Sequence, residues 1–316
     1  MGNQQKQAVG PGAVLIFIST LGFSVYPILG KFVFAGGAAL ATVLFVRFIL
    51  AALFFGTIAL IREGFPHLPG KTWLTMWCMG GIGYSLMAGF YLSSVRYIPA
   101  SLAALLLYAY PIIVTVLAVL SRQEELSGLK LVGLLLSTLG LILVLGLALK
   151  GINPLGIALA LGAAFLYAVY ILLGNHVLRT TTPLVSTSMI SISAAVTYGI
   201  VGLATGGTTW TLSWGTWMGI GGIALFSTII AMLTFFQGMK LIGATSASII
   251  STLEPVMTVV LAVFLFSEHL SLLQMAGGVL VILGGIVAVL APSFPPNRKG
   301  KAERVEIQTT GKNFVP

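Results

Sequence analysis

Residues 97–147 lie on residues 241–291 without a gap. The shift that carries Pro111 onto Pro255 also carries Glu124 onto Glu268, Leu126-Ser127 onto Leu270-Ser271, Gly133 onto Gly277 and Gly140 onto Gly284. Beyond that window it carries Gly12 onto Gly156, Tyr26 onto Tyr170, Gly30 onto Gly174 and Trp73 onto Trp217. The chain is an internal duplication, and each half contains an odd number of apolar segments long enough to cross a membrane.

Only 7% of the residues are charged and 58% are hydrophobic, too few charges to clothe a globular surface in water. A helix needs about 20 apolar residues to cross a hydrocarbon core roughly 30 Å thick. Such stretches fall near residues 12–34, 38–61, 72–95, 99–120, 128–149, 154–176, 184–204, 214–239, 244–266 and 272–291. The expected fold is an all-α integral membrane protein of ten transmembrane helices. The short alternating segments of a β-barrel are absent. The first span is too long to be a cleaved signal peptide and reads as an uncleaved helix.

The organisation that follows is a cytoplasmic N-terminal tail at 1–11, one repeat over 12–149, a second over 154–291 and a basic, disordered cytoplasmic tail at 292–316. Five spans per half start the second copy on the opposite face from the first, so the repeats are inverted about a two-fold axis in the membrane plane. That architecture suits alternating access, because exchanging the conformations of two similar halves turns one open state into the other. Ser127 and Ser271 stand where helix N-caps are needed, and Ser271 to Gln274 has capping-box spacing.

The formal charge of +9 sorts by side. With the N-terminus inside, Lys6, Arg62, Lys71, Arg122, Lys130, Arg179, Lys240, Arg298, Lys299, Lys301, Arg304 and Lys312 fall on the inner side, against Lys31, Arg96 and Lys150 outside. This is the bias of an insertion signal in a cytoplasmic membrane with both termini cytoplasmic. The partner it implies is the lipid bilayer, and nucleic acid is not expected. The lone Cys78 forms no internal disulfide.

The phrases Arg96-Tyr-Ile-Pro-Ala-Ser, Tyr110-Pro111, Glu124-Glu-Leu-Ser and Gly133 to Gly140 have counterparts in Ala244-Thr-Ser-Ala, Glu254-Pro255, Ser267-Glu-His-Leu-Ser and Gly277 to Gly285. Together they resemble the EamA repeat of the drug/metabolite transporter superfamily. The resemblance implies a carrier with a central cavity between its halves that exports small metabolites, amino acids or drug-like compounds. It also implies that the first, third, fourth, sixth, eighth and ninth spans line the path. The chain departs from the commoner pattern in carrying Tyr110 before Pro111 and in an unusually aromatic first half.

Aspartate is missing, and Glu254 is the only acid deep in a span. Arg47 is similarly deep in the second span. An ionisable group at that depth costs at least about 2.5 kcal/mol and needs a partner or a wet cavity. Two readings of Glu254 stand side by side: it titrates and couples proton entry to substrate exit, or it braces its helix where Pro255 removes a hydrogen bond. Arg47 reads first as structural, holding carbonyls or a carboxylate; a direct pair with Glu254 is open. Pro27, Pro111 and Pro255 are candidate helix breaks. The substrate-path candidates are Tyr26, Tyr84, Tyr91, Tyr108, Tyr110, Tyr167, Tyr170, Gln237, Ser248 and Thr252, with Asn175 and Ser251 beside them. A tyrosine offers a flat apolar face with one polar tip, suited to an amphipathic solute or to packing between helices. Trp73, Trp77, Trp210, Trp214 and Trp217, at span ends, read as interfacial anchors.

Competing functions are constrained by what the spans lack. There is no aspartyl dyad and no His-Glu-x-x-His motif, and His67, His176 and His269 sit at span ends, so neither an intramembrane enzyme nor a metal or other cofactor is expected. An uncoupled channel remains the alternative to the carrier, although no ring of charges or filter-like loop is evident.

Overall fold

The computed structural model describes residues 2–64, 68–94, 97–98, 100–124, 127–145, 153–266 and 271–291. His67, Arg96, Glu125, Lys150, Glu268, His269 and the 292–316 tail lie outside the described residues.

Among the described residues ten helical rods run in chain order. They are α1 (Gly2–Ala35), α2 (Leu40–Glu63), α3 (Gly70–Cys78, Met79–Tyr84, Ser85–Ser94), α4a and α4b (Ala100–Leu107, Tyr110–Leu120) and α5 (Gly128–Leu145). The second half gives α6 (Pro154–Val177), α7 (Pro183–Thr205), α8 (Trp214–Ala224, Leu225–Ile230, Ala231–Ile242), α9a and α9b (Ala244–Ser251, Leu253–Phe266) and α10 (Leu272–Leu290). No strand occurs among the described residues. Helices are what a chain of this composition must form, because in hydrocarbon each peptide group has to find its hydrogen bond inside its own segment. Among the described residues nine rods are long and apolar enough to cross a membrane by themselves. The tenth, α3, is diluted by the run Gly80-Gly-Ile-Gly-Tyr-Ser.

Local chemistry sets many of the ends. Asn153 caps Leu155 N at 2.9 Å, Thr182 caps Val185 N at 3.2 Å and Ser213 caps Thr216 N at 3.2 Å, with Pro154 and Pro183 in the first turns they open. Ser127 accepts from Lys130 N, and Ser271 forms a capping box with Gln274. Gly64 and Gly206 terminate α2 and α7 at positive φ. Helix α1 begins at Gly2, ahead of the expected Gly12: the segment Gln4-Gln-Lys-Gln-Ala is made of good helix formers and extends the rod.

The inversion is written into the packing. A Cβ on Gly140 would stand 2.6 Å from the Gly277 carbonyl oxygen, and one on Gly133 would stand 2.8 Å from that of Gly284. Partner numbers fall along α10 as they rise along α5, so the helices are antiparallel. Because Gly133 and Gly140 are the repeat mates of Gly277 and Gly284, exchanging the halves maps each contact onto the other. A two-fold axis therefore passes between α5 and α10 in the membrane plane. The same operation relates Gly12 against Leu241 and Ile242 on α8 to Gly156 against Tyr97 and Ile98. Helices α2 and α7 also cross antiparallel, through Ala41 with Gly202, Phe45 with Gly199 and Gly56 with Ser188.

Small residues let backbones approach closely where no hydrophobic effect separates helix from lipid. The outer face is apolar, with Ile61, Leu203, Trp214, Phe264 and Leu272 largely exposed. Serines and threonines such as Ser24, Ser188, Ser191, Ser227 and Ser248 are buried instead. In water such an exterior would be an aggregation surface; in a bilayer it is the solvated face.

The three prolines behave differently. Helix α4 is interrupted at Tyr108 and Ala109, just ahead of Pro111, and α9 at Thr252, just ahead of Pro255. Pro27, also expected to break its helix, lies inside an unbroken α1. The ring removes the N–H that would serve Phe23 O, and hydroxyls flank that point, Ser227 donating to Gly22 O at 2.8 Å and Thr258 to Ser24 O at 3.3 Å. Helices α3 and α8 each contain one π-helical turn, Met79–Tyr84 and Leu225–Ile230, at nearly equivalent places in the two halves.

Candidate substrate-binding site

The breaks in α4 and α9 face each other. Tyr110, the first residue of α4b and 1% exposed, points its hydroxyl across to the Ser248 carbonyl of α9a, a long contact of 3.5 Å. Ser248, Ser251 and Thr252 turn their own hydroxyls back onto α9a, to Thr245 O, Ala247 O and Ile249 O at 2.6 to 2.9 Å. These three predicted path residues thus help to satisfy the short helix that the proline cuts off.

Glu254 lies in the first turn of α9b, where a carboxylate also meets the free N–H groups of a helix start. It is only partly buried, although it sits in the middle of its span. Tyr108, Tyr91, Tyr110 and Tyr167 are the tyrosines near it. The rings form a continuous series. Tyr108 and Tyr110 have centroids 6.1 Å apart, Tyr110 meets Tyr167 edge-on at 4.6 Å, Tyr167 stacks near Tyr170 at 6.2 Å, and Tyr170 meets Phe236 at 6.3 Å.

Arg47 occupies a second aromatic box. Its guanidinium carbon lies 5.0 Å from the Tyr26 ring centre, 4.7 Å from Phe48 and 5.8 Å from Tyr84. One Nη donates to the Tyr84 hydroxyl at 3.2 Å, while Nε is buried without a partner. Tyr198 completes the box, stacked 6.2 Å from Phe48. Arg47 and Glu254 form no salt bridge with each other; among the described residues that contact belongs to Lys130 and Glu124.

Most of the predicted tyrosines therefore fall into two groups, Tyr91, Tyr108, Tyr110 and Tyr167 about the carboxylate and Tyr26 and Tyr84 about the guanidinium, with Tyr170 stacked on Tyr167. Two polar candidates do not join them. Gln237 makes no hydrogen bond to a described residue, and Asn175 donates to Gln123 at 3.2 Å near the end of α6. Phe48, Tyr198 and Phe236 escaped sequence reasoning, since an aromatic residue in an apolar span carries no mark of what it packs against. The adjacency of Phe48 to Arg47 was the one available signal.

Chemically, the arrangement brings a carboxylate and a guanidinium each against aromatic rings inside the bundle. A reacting set is absent among the described residues: no histidine stands near Glu254, and no group of ligands could hold a metal ion.

Comparison with known proteins bears on the fold. The sequence model of the EamA-like transporter family matches residues 10–146 and again 154–290. The uncharacterized transporter YyaM of Bacillus subtilis (strain 168) is 26% identical over 290 residues, covering 86% of this chain and 93% of that protein. The uncharacterized transporter YcbK of the same organism is 28% identical over 295 residues, covering 87% and 92%. A solved crystal structure superposes with a TM-score of 0.76 at 19% identity, covering 88% of this chain and 96% of the other, a likeness of fold.

Proposed function

Because the chain belongs to the EamA-like transporter family, we propose that it is a secondary active transporter that works by alternating access and exports small metabolites such as amino acids or drug-like compounds. One relationship carries the reading. Two helices broken at equivalent points face each other across an in-plane two-fold axis, and a carboxylate stands at one of the breaks. A broken helix at mid-depth supplies unpaired backbone dipoles where a polar solute has to shed its water.

Glu254, partly buried beside Tyr108, is the proton-coupling residue in this proposal. Export is the direction the family resemblance implies. The lysine and arginine asymmetry supports a cytoplasmic membrane with both termini inside.

The test is counterflow of labelled amino acids and metabolites in proteoliposomes, with and without an imposed pH gradient. Saturable counterflow supports a carrier, and stimulation by the gradient supports coupling. Flux that neither saturates nor exchanges would favour a channel and overturn the proposal.

A further inference from the structure

We propose that Glu124 and Lys130 form a one-sided latch, which holds the bundle shut at the end where α4 meets α5 and biases the resting protein toward the form open at the other end. The inference rests on the alternating-access reading above.

Glu124 belongs to the first half, in the short link between α4b and α5. Its Oε2 takes the Lys130 ammonium at 2.8 Å. Its Oε1 crosses to the second half and accepts the Thr245 N–H, in the first turn of α9a, at 3.1 Å. N–H groups at a helix start have no partner in their own helix and carry partial positive charge, so a carboxylate is their natural acceptor. The approach depends on Gly243, which has φ +82°, and a Cβ there would stand 2.6 Å from Oε1. Lys130 is only 2% exposed, so this is a charge-assisted contact away from water. Two further side-chain bonds join the halves at the same end: Asn175 to Gln123 at 3.2 Å and Thr182 to Glu63 at 2.7 Å.

The repeat relation makes the arrangement informative. Exchanging the halves carries Glu124 onto Glu268 and Ser127 onto Ser271, but Lys130 onto Gln274. The glutamine is neutral and is already engaged, its Oε1 accepting from Ser271 N at 3.0 Å. At the position equivalent to Lys130 the second half carries no cation. In a carrier of two similar halves, the forms closed at either end would be nearly equal in energy, so a cross-half bond whose acceptor Lys130 charges and orients biases the population toward the form that keeps it.

Full-length protein in the Cys78→Ser background, with spin labels at the exposed positions Leu129 and Arg179, reports the separation of the halves at this end by double electron–electron resonance in lipid nanodiscs. We expect one dominant short distance. Lys130→Gln frees the Glu124 carboxylate from its partner and should shift the ratio of short to long distances up to about tenfold toward the long form, the size of losing the charge-assisted hydrogen bond to Thr245 N–H. The exchange variant Glu124→Lys with Lys130→Glu keeps an ion pair between the two positions, and hence the local fold, but places a cation against the α9a N-terminus. It should open the same end. If both variants keep the original distance distribution while amino-acid counterflow persists in the same preparation, the latch is wrong and the carrier stands. A shifted distribution with no counterflow in any preparation would keep the latch and remove the carrier reading.

Discussion

The Arg47 guanidinium donates to the Tyr84 hydroxyl at 3.2 Å, and that is its one hydrogen bond among the described residues. Everything else around the cation is aromatic face, with Phe48 and Tyr26 at 4.7 and 5.0 Å. Removing the acceptor leaves a buried charge with no polar partner, so Tyr84→Phe should lower stability by about 1–3 kcal/mol, visible as a lower melting temperature in detergent. Arg47→Lys should destabilise more than Arg47→Met, because a compact ammonium neither spreads over three rings nor tolerates desolvation, while methionine brings no charge to satisfy. A lysine variant that melts with wild type would show that the box does not depend on the planar cation.

The α5–α10 crossing makes a second prediction about glycine. At Gly140 a methyl group would collide with the Gly277 carbonyl at 2.6 Å and with Val281 N at 2.7 Å, both backbone atoms of the partner helix. Gly140→Ala should force the helices apart and cost about 1–3 kcal/mol. Gly221, inside α8, has nothing within 4 Å of the same position. There Gly221→Ala should be neutral or stabilise by about 0.5–1 kcal/mol through backbone entropy. Thermal unfolding of the two variants side by side decides the matter; equal melting temperatures would contradict the close crossing.

Prolines separate in the same way. Pro255→Ala restores the donor that Ser251 O lacks and removes the reason for the interruption at Thr252, so α9 should straighten and carry Glu254 away from Tyr108. Transport should fall about tenfold or more, since small displacements of a site group cost that much. Pro27→Ala changes a helix that already runs through, and should leave transport near wild type. Comparable losses in both variants would mean that the α9 break has no special role.

How far these features were legible before the structure depends on the range of the interaction behind them. Ten helices follow from segment length alone, and their inversion from five spans per repeat; the antiparallel meetings of Gly133 with Gly284 and Gly140 with Gly277 express both. Ser127 and Ser271 announced their caps because capping acts within three residues. Pro27 and Pro111 look alike in sequence and differ in outcome, and the contacts that α1 makes beside Pro27 with hydroxyls of α8 and α9 are ones no local pattern reveals. The same holds for Arg47 and Glu254. Their depth could be counted along the chain, but their separation into two aromatic boxes depends on Phe48, Tyr84 and Tyr167 arriving from three helices. The cross-half reach of Glu124 was equally hidden, since Thr245 lies far along the chain.

The most direct test of the coupling proposal is Glu254→Gln. Glutamine keeps the size of the side chain and can still meet Tyr108, but it cannot bind and release a proton. For an antiporter, substrate loaded inside proteoliposomes leaves faster when the outside is made acidic, because protons moving inward drive it. In Glu254→Gln this acceleration should vanish while exchange of substrate for substrate persists, since exchange needs no net proton movement. Loss of both with the protein still folded would assign Glu254 to substrate binding alone. Retention of the gradient response would remove it from coupling and leave it as the carboxylate that caps the start of α9b.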